Sequence, residues 1–131
     1  MAEFPADYLD LVDKKVAFAA LATLMPDGTP QVTPVWFDYS DGLIRLNTAT
    51  GRVKARNLQE GVKVALSIMD PDNAYRYVQI RGHVTRVTQD GADAQIDALS
   101  HKYIGKDYPW RHPGEDRISV DVAIDKASAS G

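Results

Sequence analysis

A run of basic residues is the first feature of this sequence that could do chemistry. Between Leu43 and Leu58 the chain reads LIRLNTATGRVKARNL, with four basic residues and no acidic one, although the whole chain has a net charge of −3. Asn47, Thr48 and Thr50 add neutral hydrogen-bonding groups where a strand is expected to end. Gly51 lets a ligand approach the backbone, and a helix is expected to start at once. The pattern is typical of a phosphate site, and equally of a solvated helix face.

The segment QVTPVWF (31–37) joins an aromatic residue to an interrupted strand. Pro34 cannot donate a hydrogen bond to a neighbouring strand. It therefore predicts an edge strand, a bulge or a ligand-facing wall. Unpaired backbone beside Trp36 would suit a flat aromatic ligand, although a tryptophan packed in the core explains the same residues.

Two later segments also carry polar and aromatic groups. In YRYVQIRG (75–82), alternation places Tyr77, Gln79 and Arg81 on one face of a strand. That face would serve as a ligand wall, a subunit interface or an exposed sheet surface. The loop YIGKDYPWRHPGEDR (103–117), which we call the late loop, holds aromatic residues of the kind that anchor pockets and interfaces, or that fold onto their own core.

Several chemistries are excluded by what the sequence lacks. It has no cysteine, so disulfides, thiolate metal sites and cysteine nucleophiles are absent. His83, His101 and His112 do not have the spacing of metal ligands, so we expect no metal. Nucleotide-binding glycine motifs and the G-x-S-x-G motif of serine hydrolases are missing. The net negative charge argues against nucleic-acid binding.

The length and patterning predict one mainly β domain over residues 1–131. No signal peptide and no run of about 18 apolar residues is present, so we expect a cytoplasmic protein without a membrane partner. Hairpin turns between neighbouring strands favour a six-stranded antiparallel barrel with flanking helices over a doubly wound sheet. The tail 127–131 is expected to fray. Strands are expected over 16–25, 31–39, 43–47, 62–69, 75–88 and 118–124, and helices over 4–15, from Thr50 to about Gln59, and after Gly91.

The sequence resembles the pyridoxamine-phosphate-oxidase-like split-barrel proteins. The resemblance covers nearly the whole chain and rests on TPVW (33–36), NT-x-x-GR-x-K-x-RNL (47–58) and YRYV-x-IRG (75–82), in this order. Within this group the chain is most similar to the flavin/deazaflavin oxidoreductases, the branch often described as F420-dependent, so the resemblance favours the deazaflavin coenzyme F420 over FMN. The resemblance implies a homodimeric split barrel with an FMN-type or deazaflavin cofactor bound in two sites at the subunit interface.

The same resemblance assigns the cofactor site to particular residues. The ring system would lie along Thr33, Pro34, Val35 and Trp36. The phosphate end would lie near Asn47, Thr48, Thr50, Gly51, Arg52, Lys54, Arg56 and Asn57. The other subunit would contribute Tyr77, Val78 and Gln79, with Trp110 and Arg111 of the late loop. Arg76 and Arg81 are candidates for additional cations.

The main hypothesis is an oxidoreductase in which coenzyme F420 exchanges a hydride with an electron-poor double bond of a small conjugated substrate. By family analogy, tetrapyrroles and quinone-like or enone-like molecules are candidate substrates. Solvent or a residue such as Tyr77 could supply a proton; no catalytic residue is identified.

Two alternatives stay open. One is an FMN enzyme of the pyridoxamine-phosphate oxidase type, which oxidises an amine with oxygen. The other is a carrier that binds the cofactor without turnover. A late loop that covers the ring would favour the carrier, and an open pocket above the ring would favour the enzyme.

Overall fold

Alternating apolar residues and hairpin turns give this chain its strands. In β5, for example, Val64, Leu66 and Ile68 are buried as the period of two predicts. The computed structural model describes residues 2–131. Its elements are a 3₁₀ turn (Ala6–Tyr8), α1 (Asp10–Asp13), β1 (Ala19–Leu24), β2 (Pro30–Val35), β3 (Asp38–Ser40), β4 (Leu43–Ala49), α2 (Val53–Asn57), β5 (Lys63–Asp70), β6 (Asn73–Thr88), α3 (Ala92–Ile104) and β7 (Arg117–Ser130).

The strands form one sheet in the order β2-β1-β5-β6-β7-β4-β3. All of its neighbouring strands are antiparallel. The predicted mainly β, antiparallel split-barrel fold with flanking helices is therefore confirmed, although the sheet described for residues 2–131 does not close on itself. Pro34 lies on the edge strand β2, as its missing N–H predicts.

The sheet has seven strands where six were expected. The predicted strand over 31–39 is broken at Trp36 and Phe37, which belong to neither β2 nor β3. The physical reason is a competing partner, because the N–H of Phe37 donates to the hydroxyl of Tyr103 at 3.2 Å.

The first two helices are shorter than expected. The segment 4–15 forms only the 3₁₀ turn and the four-residue α1. The five-residue α2 begins at Val53 rather than beside Thr50, because the chain turns at Gly51 with φ +89°. The helix α3 is confirmed and ends at Gly105 in the left-handed conformation. None of the helices within residues 2–131 combines the length and the apolar surface needed to cross a bilayer.

The expected fraying of the C-terminal tail is wrong. The strand β7 continues to Ser130, which pairs with Tyr77 of β6. The strand β6 is 16 residues long, and the backbone groups of its N-terminal half need hydrogen-bond partners. The tail supplies those partners, which explains why small polar residues form a strand here.

A buried carboxylate ties the N-terminal segment to the end of β5. The side chain of Asp70 is only 3% exposed. It accepts hydrogen bonds from Nζ of Lys15 at 2.9 Å and from Nη1 of Arg76 at 3.0 Å. Arg76 also pairs with Asp10 at 2.8 Å. The hydrogen bond from Lys15, with smaller contributions from the N–H of Asp72 and from Arg76, lowers the pKa of Asp70 to about 2.

This network predicts how stability depends on pH. The pKa of Asp70 is lower in the folded protein than in the unfolded chain. Its carboxylate therefore stabilises the fold above pH 4, and that stabilisation is lost as the pH falls toward 2. We expect Asp70→Asn to lower the melting temperature at pH 7 and to flatten its decline between pH 4 and pH 2. Thermal unfolding across this range measures both effects. Asp13→Asn, at an exposed position of α1, is the control, and parallel curves for wild type and Asp70→Asn would refute the prediction.

Candidate functional site

The aromatic wall of the site begins at the break between β2 and β3. There Trp36 stacks on Tyr103 of α3, with ring centres 5.1 Å apart and planes 13° from parallel. Two rings of the late loop contact the same indole, Tyr108 edge-on at 6.0 Å and Trp110 tilted at 6.4 Å. Stacked and edge-to-face contacts are the favoured arrangements of aromatic pairs. The indole of Trp36 is therefore held in a defined plane.

Three positive side chains lie next to this wall. Arg52 and Lys54 come from the turn and the first residues of α2, and Arg117 opens β7. The register of β4 and β7 pairs Ala49 with Arg117. This pairing brings Arg117, distant in sequence, beside the turn that carries Arg52.

The charges of these three side chains are only partly balanced. Arg117 is buried and pairs with Glu115. Within residues 2–131, no carboxylate forms an ion pair with Arg52 or Lys54. Burial, followed by repulsion from Arg52 and Arg117, lowers the pKa of Lys54 below its ordinary value. Such a group of like charges is stabilised when an anion binds beside it.

Asn47 holds Arg117 in place. Its amide nitrogen donates to the carbonyl of Ala92 at 2.8 Å and to Oε1 of Gln95 at 2.7 Å. Its amide oxygen accepts from Nε of Arg117 at 2.9 Å. The side chain of Asn47 thus joins β4, α3 and β7 at the base of the site.

The aromatic wall and the cations enclose a cleft of about 230 Å³, which we call the Trp36 cleft. It is open to solvent, and the late loop lines it without closing it. The structure brings together part of the predicted site here. Its lining residues are Phe18, Pro34, Val35, Trp36, Asn47, Arg52, Lys54, Ile96, Tyr108, Trp110 and Arg117.

Four of the lining residues are missing from the sequence prediction, namely Phe18, Ile96, Tyr108 and Arg117. Tyr108 lies in the aromatic loop that the sequence singled out, and Ile96 belongs to the apolar stripe of α3. Both had a signal that could have been followed. Arg117 ends the same segment, but nothing in the sequence places it near Arg52, because that proximity comes from the pairing of β7 with β4.

Other predicted residues do not line the Trp36 cleft. Thr48 is buried on the core side of β4. Asn57 donates to a threonine hydroxyl of β1 at 3.1 Å. Arg111 pairs with Asp93 and Asp97 of α3, each at 2.9 Å. These residues outside the cleft are Thr33, Thr48, Thr50, Gly51, Arg56, Asn57 and Arg111.

Of the residues expected from a second subunit, those on β6 (77–79) lie away from the cleft of their own chain. Trp110, also expected from the other subunit, instead lines the cleft of its own chain. Tyr77 and Gln79 are exposed on the outer face of the sheet, as the alternation predicts. Val78 is fully buried in its own core, so its side chain cannot reach a ligand and only its backbone can. Arg76, a candidate for an additional cation, is instead paired with Asp10 and with Asp70. Arg81 lines a separate hollow of about 530 Å³ on the outer face.

Comparisons with known proteins place this geometry in a family. The sequence pattern of pyridoxamine 5'-phosphate oxidase matches residues 9–129. A solved F420 reductase is 34% identical, with a TM-score of 0.83, and the match covers 95% of this chain and 98% of the reductase. No protein with a curated description matches the sequence.

More distant structures share the fold. A conserved hypothetical protein from Mycobacterium tuberculosis is 22% identical with a TM-score of 0.73, over 99% of this chain and 86% of that one. An FAD and heme binding protein from Mycobacterium smegmatis is 20% identical with a TM-score of 0.69, over 98% and 71%. The match over residues 9–129 confirms the resemblance on which the sequence prediction rested: this chain belongs to the pyridoxamine 5'-phosphate oxidase family of split-barrel proteins.

Proposed function

We propose that this protein is an F420-dependent reductase, which transfers a hydride between the deazaflavin coenzyme F420 and a small conjugated organic substrate in the cytoplasm. One observation carries the proposal. Arg52 and Lys54, which have no carboxylate partner within residues 2–131, lie in the same cleft as the flat indole of Trp36. A ligand that matches this arrangement combines an aromatic ring system with an anionic group. The likeness to a solved F420 reductase supports this choice of cofactor.

The donor groups of the cleft suit the two ends of such a cofactor. Guanidinium and ammonium groups form strong charge-assisted hydrogen bonds with phosphate oxygens, and arginine does so with two donors at once. Arg52 and Lys54 would hold the phosphate. Trp36 and Phe18 would lie against the ring system.

A single Trp36 cleft is too small for the whole cofactor. Its volume of about 230 Å³ lies below the range of roughly 300 to 1,000 Å³ that ligand pockets have. Apolar side chains on the outer surface, including Val32, Met69 and Tyr77, are exposed, and surfaces of this kind commonly bind another protein. We therefore propose a homodimer, in which the second copy brings its Tyr77 and Gln79 to the open side of the cleft.

The residues of this chain would act by binding, orientation and exclusion of water. When bound in its reduced form, the deazaflavin supplies a hydride to an electron-poor double bond. Arg52 and Lys54 fix the charged end, and Trp36 fixes the plane of the ring. Tyr108 and Trp110 keep water from one side of the cleft. We assign the proton that completes the reduction to solvent.

Two other functions fit parts of this arrangement. FMN has a phosphate with a higher charge, so the same cations support an FMN-dependent oxidase or reductase. A carrier that binds F420 without turnover would need the same cleft. Turnover of a conjugated substrate by the reduced cofactor distinguishes the enzyme from the carrier.

A side-by-side titration distinguishes the cofactors. We expect purified protein to bind F420 at least about tenfold more tightly than FMN, measured by quenching of cofactor fluorescence. Light scattering on the same samples should give twice the mass of one 14.4 kDa chain. Tighter binding of FMN would favour the FMN-dependent oxidase or reductase. Failure to bind either cofactor would refute the proposed function. A monomer that binds F420 would refute the proposed homodimer and leave the proposed cofactor standing.

A further inference from the structure

Tyr103 forms hydrogen bonds with backbone groups at the break between β2 and β3. Trp36 and Phe37 belong to no strand, so backbone groups of Phe37 need other partners. The hydroxyl of Tyr103 accepts from the N–H of Phe37 at 3.2 Å and donates to the carbonyl of Ala17 at 2.6 Å. The neighbouring Lys102 donates to the carbonyl of Phe37 at 2.8 Å. One helix position thus joins the chain before β1 to the chain after β2.

The ring of Tyr103 contacts two aromatic residues of the cleft. It stacks on Trp36, with planes 13° from parallel, and lies 5.3 Å from the ring of Phe18. Phe18 and Trp36 both line the Trp36 cleft, whereas Tyr103 does not. Tyr103 therefore supports the aromatic wall from behind, and burial raises its pKa to about 12, so the hydroxyl stays protonated as a donor.

We infer that Tyr103 is a positioning residue, which sets the plane of Trp36 and the position of Phe18 and thereby the fit of the cofactor ring. The inference rests on the proposed function for the identity of the ligand. The placement of Trp36 can be measured without any ligand. If Tyr103 had only a structural role, its substitution would lower the stability of the fold. The environment of Trp36 would then stay unchanged, and the affinity would change no more than in a variant of a tyrosine outside the cleft.

Two substitutions separate the hydroxyl from the ring. Tyr103→Phe removes the hydroxyl and keeps the stacking surface, and Tyr103→Leu removes both. Tyr39→Phe is a matched control, because the hydroxyl of Tyr39 also accepts from a backbone N–H, that of Phe4 at 3.3 Å, outside the cleft. For the measurements on Trp36, the parent protein and all variants also carry Trp110→Phe, which leaves Trp36 as the only tryptophan, since the chain has two; affinities are measured with Trp110 in place.

The environment of Trp36 is read by its fluorescence emission, acrylamide quenching and near-ultraviolet circular dichroism. The affinity is read by titration with F420 and with FMN. We expect Tyr103→Leu to change the signals of Trp36 and to raise the dissociation constant about tenfold. Tyr103→Phe should recover most of the affinity, with a smaller change in the signals. Tyr39→Phe should change only the melting temperature.

Unchanged Trp36 signals in both Tyr103 variants would overturn the inference, whether or not a cofactor binds. Equal losses of affinity in Tyr103→Leu and Tyr39→Phe would overturn it as well. If the protein binds neither F420 nor FMN, the proposed function fails. The inference that Tyr103 positions Trp36 is then decided by the fluorescence and dichroism measurements.

Discussion

Replacing Arg52 and Lys54 together by glutamine is expected to weaken cofactor binding by roughly a hundredfold or more. A hydrogen bond to a charged group contributes about 1.5 to 3 kcal/mol, and 1.4 kcal/mol corresponds to a tenfold change in affinity. Both side chains line the Trp36 cleft, and no carboxylate in residues 2–131 pairs with either. Titration of the double variant with F420 and FMN measures the loss.

The same double substitution should have the opposite effect on the free protein. Burial and the charges of Arg52 and Arg117 lower the pKa of Lys54, so removal of the two charges relieves a repulsion. We expect the variant without cofactor to be as stable as the wild type or more stable, since binding sites often reduce stability. Lys14→Gln with Lys106→Gln, at two exposed lysines, makes the same change in charge and serves as control. A double variant of Arg52 and Lys54 that binds as the control does would contradict the assignment of the site.

Gly82→Ala is expected to destabilise the protein by about 3 kcal/mol, at the upper end of what overpacking costs. A Cβ at this position would lie 2.2 Å from the carbonyl oxygen of Ala123 and 3.1 Å from Cγ1 of Val122. The first contact is with backbone, so no rotation of a side chain relieves it. The register between β6 and β7 shifts at this point, between Arg81 and Gly82, which agrees with the bulge that a glycine inside a long strand predicts. Unfolding in urea at neutral pH measures the loss.

A second glycine provides the comparison. Gly28 lies in the hairpin turn between β1 and β2 with φ +86°, and a Cβ there would meet nothing within 4 Å. Gly28→Ala should therefore lower the free energy of unfolding only by the cost of the left-handed backbone, about 1 to 2 kcal/mol. Gly82→Ala should lose more than Gly28→Ala, although its backbone needs no positive φ. The reverse order would show that the close approach of β6 to β7 relaxes easily.

Much of the fold follows from local patterns in the sequence. The alternation of Val64, Leu66 and Ile68 predicts β5, and Ser40–Gly42 predicts the turn between β3 and β4. The turn has Asp41 and Gly42 at positive φ, as such turns require. The two errors with consequences are the break at Trp36 and the ordered tail, and both depend on distant residues. A strand pattern carries no information about the hydroxyl of Tyr103 or about the length of β6 that the tail must match.

The candidate site divides in the same way. Trp36, Arg52 and Lys54 could be found because they lie in short segments with unusual composition. Arg117 could not, because it reaches the cleft through the pairing of β7 with β4. The helix α2, whose N-terminus was expected to contribute to the anion site, has only five residues. In the structure the charges themselves, rather than a helix terminus, characterise the site.

The two edges of the open sheet bear on the solubility of this protein. An exposed strand edge can add strands from other molecules and start ordered aggregation. Both edges here resist such growth, because Pro30 and Pro34 remove N–H donors from β2 and because β3 has only three residues. The two prolines are four positions apart, so both act on the same side of the strand. Pro34 thus lines the Trp36 cleft and also removes a donor from an exposed edge of the sheet.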